Sequence, residues 1–212
     1  MKKLRIGIST RIIPSENYID DRDALSHDWA SLLEKINILP ILIPNSLVEI
    51  EEFLDDMDFD GVILSGGDNI GEFPLRDKTE NKILEYAIIK KTPIFGVCRG
   101  MQIINKFFGG DVIKTKDKKH VGKPHKIIVD KEKIFLFVNE KEIMVNSFHN
   151  NIIIEKKLGK NLISIAKDIN DKSIEAFIHS DYKIIGTMWH PERMKDKKNQ
   201  NLIKIFFESE KK

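Results

Sequence analysis

The sequence of 212 residues has a single cysteine, Cys98. A lone thiol cannot close an intramolecular disulfide, and it excludes a cysteine-rich metal framework. A reducing, cytoplasmic compartment is therefore expected. Excess charge of either sign is also missing: 35 Lys and Arg face 33 Asp and Glu, a net charge of +2. A dedicated nucleic-acid binder would show a strong basic excess. Long apolar runs are absent, and none approaches the ~20 residues that span a bilayer. The apolar start is broken by Arg5 and ends by Ser9, too short for a signal peptide. No nucleic-acid or membrane partner is expected. The six histidines are scattered without ligand spacing, so no metal is expected. Heptads, repeats and low-complexity linkers are lacking too. What is present is 41% hydrophobic and 32% charged residues, the balance of a globular protein. The length suits one domain over residues 1–212. Nothing in the composition specifies an oligomeric state.

The first half alternates apolar runs of strand length with helical periodicity. Strands are predicted at 4–9, 40–44, 61–64 and 93–97. Helices are predicted at 21–37, 47–55 and 77–91, and a further one runs from the Cys98 corner to Phe108 and stops at Gly109-Gly110. Continuously apolar strands separated by helices imply a parallel sheet covered on both faces, a doubly wound α/β fold. The second half predicts strands at 127–129, 134–138, 143–145, 152–155, 162–167, 173–178 and 183–188, joined mostly by short polar turns. That pattern suggests an antiparallel extension of the same domain. A last helix at 199–208 presents Leu202, Ile203, Phe206 and Phe207 on one side.

Ligands of doubly wound sheets sit beyond the carboxyl ends of the strands. Both Gly66-Gly67 and Cys98 fall at such ends. In Ile94-Phe95-Gly96-Val97-Cys98-Arg99-Gly100-Met101-Gln102 a strand ends, the chain turns sharply and a helix begins. A cysteine at such a corner projects from the turn, as a nucleophile does at a strand–helix elbow. Unpaired N–H groups at a helix start favour an anionic sulfur. Position alone leaves two readings, a buried small hydrophobe or a reagent. Trp189-His190-Pro191-Glu192 follows the last apolar strand. In extended chain residues 190 and 192 point to one side, so Glu192 can orient His190 while the other ring nitrogen faces the thiol. A Cys–His–carboxylate set activates a thiolate for acyl transfer. Alone, Cys98 reads as a buried core residue, His190 as a surface histidine and Glu192 as a solvated charge; together they favour the reagent.

With these motifs the chain resembles the class I glutamine amidotransferase-like superfamily, and within it the gamma-glutamyl hydrolases. Further segments agree: Ser65-Gly66-Gly67-Asp68 with the glycine-rich oxyanion loop, Arg76-Asp77-Lys78-Thr79-Glu80 with an Arg-Asp-x-x-Glu segment, residues 105–110 with the end of the nucleophile helix, and Val145-Asn146-Ser147-Phe148-His149-Asn150 with a Val-Asn-Ser-x-His segment. The resemblance runs from about Leu4 to Phe207 and implies a flavodoxin-like sheet. It implies that Cys98 attacks a gamma-glutamyl carbonyl, that His190 moves the proton and that Glu192 orients His190. The oxyanion would meet the backbone N–H groups of Gly67 and Arg99. Gly66, Gln102, Ser147, Phe148 and His149 would line the glutamyl site. His149 is equally readable as a packed, hydrogen-bonded histidine. No cofactor is implied.

Gamma-glutamyl hydrolases release the amine to solvent, whereas amidotransferases pass ammonia to a synthase. The chain has no room for a fused synthase, so a free-standing hydrolase of a small-molecule gamma-glutamyl substrate is expected. The alternatives are a glutaminase subunit with a separate synthase and an inactive binding module of the same fold. Family hydrolases are often longer. This chain instead carries a basic run at 114–126, with Lys114, Lys116, Lys118, Lys119, Lys123 and Lys126. It reads either as a solvated loop or as a site for a phosphate- or nucleotide-bearing leaving group.

Overall fold

The computed structural model describes residues 2–115, 121–130 and 141–209. The first strand, β1 (Leu4–Ser9), is followed by a hairpin of β2 (Arg11–Pro14) and β3 (Asp21–Ala24). The predicted helix at 21–37 is therefore shorter: α1 spans His27–Lys35 and is capped by Ser26. The Asp23 carboxylate decides this. It accepts hydrogen bonds from Thr10 Oγ1 and the Asn45 N–H, each at 3.0 Å, which ties residues 21–24 to neighbouring strand ends rather than to a helical turn. Then come β4 (Ile38–Ile43), α2 (Ile50–Met57), β5 (Gly61–Leu64), α3 (Pro74–Lys90), β6 (Ile94–Val97) and α4 (Arg99–Phe107). Helix α3 begins three residues before the predicted start, with Pro74 at the position where a missing N–H is harmless.

The second half supplies β7 (Ile113–Lys114), β8 (His125–Val129), β9 (Glu142–Val145), β10 (Asn151–Ile152), β11 (Leu162–Asp168), β12 (Ile174–His179), β13 (Ile184–Thr187) and α5 (Lys197–Glu208). The strand expected at 134–138 lies outside the described residues. The strand expected at 152–155 is reduced to β10, which pairs antiparallel with β7 apart from the main sheet and gives way to a short 3-10 turn, Glu155–Lys157.

The main sheet has nine strands in the order β4-β1-β5-β6-β13-β12-β11-β8-β9. Strands β4, β1, β5, β6 and β13 run parallel; β12, β11, β8 and β9 continue antiparallel. The parallel core thus reaches one strand further than the sequence suggests. β13 is antiparallel to β12 on one edge but parallel to β6 on the other, with Thr187 opposite Val97. This register brings the chain after β13 out beside the chain after β6. On one face of the sheet Trp29 and Leu33 of α1 pack with Leu202, Ile203 and Phe206 of α5. On the other, Leu54, Leu84, Met101 and Ile104 of α2, α3 and α4 are buried. Each such side chain contributes about 1.5–3 kcal/mol by leaving water. No helix among the described residues is long and apolar enough to cross a membrane.

Candidate active site

Cys98 is the hinge between β6 and α4, with φ 51° and ψ −102°. L-residues avoid this region, and holding one there costs about 1–3 kcal/mol. The surroundings impose it. The Cys98 N–H donates to the Thr187 carbonyl at 2.7 Å, and the Cys98 carbonyl accepts from the Gln102 N–H at 3.0 Å. Glycine at position 100 is forced by packing, since a Cβ there would stand 2.0 Å from the Leu64 carbonyl oxygen. The thiol sits in a nearly closed corner, 7% exposed.

His190 reaches this corner from β13. Its Nδ1 is 2.6 Å from Glu192 Oε1, which leaves Nε2 as the ring nitrogen for the Cys98 sulfur. The expected pairing of 190 and 192 is present, but a short 3-10 turn at Pro191–Arg193 makes it, rather than extended chain. Burial lowers the His190 pKa, but the hydrogen bond and charge of Cys98, and then those of Glu192, outweigh it and raise the value to about 9. The imidazole is therefore held as imidazolium beside the Cys98 sulfur. Gly66 closes over both groups: a Cβ there would lie 2.7 Å from His190 Cε1 and 3.6 Å from Cys98 Cβ. Phe148 presses on the imidazole edge-on, with ring centroids 5.8 Å apart.

The glycine loop is held from behind by a buried ion network. Arg76 Nη2 donates to the carbonyls of Ser65 and Gly66 at 2.9 and 3.1 Å, and Nη1 to that of Gly67 at 3.3 Å. Arg76 also pairs with Asp68 at 3.0 Å and with Glu80 at 3.1 Å. Glu80 bonds Arg99 and Ser9 as well, and Arg99 reaches Asp77. Burial raises the Glu80 pKa, but the Arg99 and Arg76 charges more than offset it and hold the carboxyl below its usual range. Three successive carbonyls drawn towards Arg76 leave the Gly67 N–H free to face elsewhere. Neither that N–H nor the one of Arg99, in the first turn of α4, donates to an acceptor among the described residues. They are the candidate oxyanion donors.

Gln102 lies one turn into α4. It accepts from Asn151 Nδ2 at 3.2 Å, and Asn151 Nδ2 also reaches Asn69 Oδ1 at 3.2 Å. Ser147 is buried and its carbonyl accepts from the Gly122 N–H at 2.7 Å, while Phe148 is bridged to Val121 and remains 45% exposed. His149 is buried, with Nδ1 2.9 Å from the Asn151 carbonyl and Nε2 3.9 Å from Glu175 Oε1. Its described contacts are those of a packed histidine that supports Asn151. Of the basic run, Lys116, Lys118 and Lys119 lie outside the described residues. Its two flanks both meet the 147–151 segment, through Gly122 to Ser147 and through the Thr115 N–H to the Asn150 carbonyl at 2.8 Å.

Several members of this site carry no sequence signal of their role. Asn146 stands in the Val-Asn-Ser-x-His segment, yet only the structure shows that it clamps the His190 main chain. Arg76 and Glu80 are visible as a motif but not as the back wall of the glycine loop. Among the described residues no group of three or more His, Cys, Asp or Glu is arranged to hold a metal ion.

Residues 17–209 match the family model described as glutamine amidotransferase class-I. The chain is 33% identical over 211 residues to a gamma-glutamyl-CDP-amidate hydrolase from Campylobacter jejuni, covering 95% of this chain and 96% of that one. It is 32% identical to one component of the glutamine-hydrolyzing GMP synthase of Methanococcus aeolicus, over 82% of this chain and 86% of that one. In three dimensions it superposes on a solved protein from Thermoplasma acidophilum with a TM-score of 0.76, at 24% identity, over 98% of this chain and 94% of the other.

Proposed function

The chain belongs to the class I glutamine amidotransferase family, and from that premise we propose that it hydrolyses a gamma-glutamyl amide through a thioester on Cys98. The observation that carries this reading is the meeting of Cys98, His190 and Glu192 at the adjacent ends of β6 and β13. The thiolate adds to the gamma carbonyl carbon, and the carbonyl oxygen takes the negative charge. The N–H groups of Gly67 and Arg99 hold that oxygen; one such donor is typically worth ~3–4 kcal/mol in the transition state. As the C–N bond breaks, His190 gives its proton to the leaving nitrogen, and the acyl group remains on sulfur. Water then loses a proton to His190, attacks the thioester and releases glutamate and the thiolate. Glu192 keeps the imidazole in one orientation through both steps. Gln102, Ser147 and Phe148 line the glutamyl side, and His149 backs it through the Asn151 carbonyl.

The leaving group is proposed to be a nucleotide phosphoramidate, as in gamma-glutamyl-CDP-amidate, so that the second product is cytidine diphosphoramidate for capsule synthesis. Similarity over nearly the full length of a hydrolase of that name supports this. The basic run is proposed to bind the phosphate of that leaving group, and its described residues Thr115 and Gly122 bond to the Asn150 and Ser147 carbonyls. Neutralising Lys116, Lys118 and Lys119 should then raise the KM for the phosphorylated substrate.

A second reading, a glutaminase subunit that hands ammonia to a separate synthase, is favoured by the likeness to the GMP synthase component. Glutamate release from glutamine, gamma-glutamyl-gamma-aminobutyrate and gamma-glutamyl-CDP-amidate separates the two. Preferred turnover of the amidate by the lone chain is expected. Turnover of glutamine alone, or only with a partner present, would overturn the hydrolase reading.

A further inference from the structure

The hairpin of β2 and β3 stands beside the glycine loop and delivers one side chain onto it. A Cβ built on Gly67 would meet Arg11 Cζ and Nε at 3.4 Å and Cδ at 3.5 Å, so the guanidinium lies across the outer surface of the candidate oxyanion donor. Gly67 has φ 93°, which keeps that surface bare. Arg11 Nη2 donates to Asp68 Oδ1 at 2.6 Å, and the other oxygen of Asp68 takes Arg76. The Asp68 side chain is 5% exposed whereas that of Arg11 is 46% exposed. A guanidinium has five N–H donors, and this one uses Nη2 alone on an acceptor among the described residues. Its base is rigid. Thr10, the preceding residue, is fully buried and bonded to Asp23 and to the Ile43 carbonyl.

The other arginines around the site are committed. Arg76 and Arg99 are buried in the ion network. Arg193 covers the Phe148 ring at 4.7 Å, and its Nε lies 3.7 Å from Glu192 Oε1 and 4.0 Å from Asp28 Oδ2. Arg11 is thus an oriented, half-exposed fork at the rim of the oxyanion loop, the geometry in which arginine recognises phosphate.

We infer that Arg11 is a specificity-determining residue that receives the phosphoryl oxygens of an anionic leaving group. The inference rests on the reading of the site as a hydrolase of a gamma-glutamyl phosphoramidate. In such a substrate phosphorus is bonded directly to the leaving nitrogen, so its oxygens stay close to the attacked carbonyl. A cation beside the oxyanion loop can reach them. The plain amide of glutamine offers nothing for it to bind. Asp68 serves to aim the fork.

The test compares kcat/KM of the full chain for gamma-glutamyl-CDP-amidate with that for glutamine, in the wild type, Arg11→Gln and Arg11→Lys, and measures inhibition by CDP. In Arg11→Gln the ratio of the two kcat/KM values should fall ~10- to 100-fold, mainly through KM of the amidate, and the CDP inhibition constant should rise in parallel. Arg11→Lys should recover part of both. A ratio within about twofold of wild type overturns the inference, whether both activities drop together, which makes Arg11 a support of the loop, or neither drops. If the wild type itself releases glutamate from glutamine and not from the amidate, the substrate reading falls and the inference with it, and that outcome is visible before any variant is made.

Discussion

One side chain holds both backbone polar groups of His190: the His190 N–H donates to Asn146 Oδ1, and the His190 carbonyl accepts from Asn146 Nδ2, each at 2.8 Å. Asn146 follows β9, the far edge of the antiparallel extension, whereas His190 follows β13 in the parallel core. The extension thereby fixes the angle at which the imidazole enters the Cys98 corner.

Asn146→Ala should leave the fold in place and loosen that angle. Small misplacement of a catalytic group has large kinetic consequences. We expect kcat to fall about 10- to 100-fold with little change in KM, since Asn146 positions the proposed acid–base, His190, and not the substrate. A fall in substrate affinity at unchanged kcat would show that the clamp shapes the glutamyl site instead.

The His190 pKa of about 9 sets a pH dependence with a definite sign. It lies above the ordinary value of 6.5, so the charged form stabilises the native state. That contribution is fully present below about pH 6.5 and is lost as the pH rises through about 9. In the proposed mechanism this proton goes to the leaving amine, so kcat/KM should show a basic limb near pH 9. Glu192→Gln removes one of the groups that raise the value and should move the limb to lower pH. Cys98→Ala removes a larger one, and the His190 ring titration followed by NMR should shift further. A limb unmoved in Glu192→Gln would argue against this pairing.

Cys98 combines a reactive position with an unfavourable backbone. If Cys98 is the nucleophile proposed, Cys98→Ala and Cys98→Gly should both lose turnover by about 10⁴-fold or more. They should differ in stability. At φ 51° glycine relieves strain that alanine keeps, so Cys98→Gly should be the more stable of the two by about 1 kcal/mol. Denaturant melts of both variants give the comparison directly; an alanine variant as stable as the glycine variant would mean that the corner relaxes without strain.

Glu80 is buried and joins Arg76, Arg99 and Ser9. Glu80→Gln leaves two buried guanidinium groups short of a countercharge. Breaking a buried ion pair in this way costs about 3–5 kcal/mol, and urea denaturation should show a loss of that size. Because the network holds the Ser65, Gly66 and Gly67 carbonyls, activity should fall even under conditions where the variant is folded. Because the Glu80 pKa is depressed below its ordinary value of 4.5, its contribution is present above that value. It is lost as the pH falls through the lower, folded value.

The sequence by itself determined the local chemistry. The strand–corner–helix around Cys98, the glycine loop after β5 and the Trp189-His190-Pro191-Glu192 segment are all legible, because short-range sterics and periodic burial act within a few residues. The order of the first parallel strands and helices follows from the same signals. Three features came only from the tertiary structure. Residues 21–24 join a hairpin because Asp23 is claimed by Thr10 and Asn45, far from any helical neighbour. β13 pairs with β6 because that edge of the parallel core is open to it, and nothing in residues 183–188 states which edge a strand will take. Arg76, Glu80, Asn146 and Arg11 acquire their roles through contacts with distant segments. Which long-range pairings form depends on how whole faces pack and which polar groups must find partners once buried, and no window of sequence contains that information.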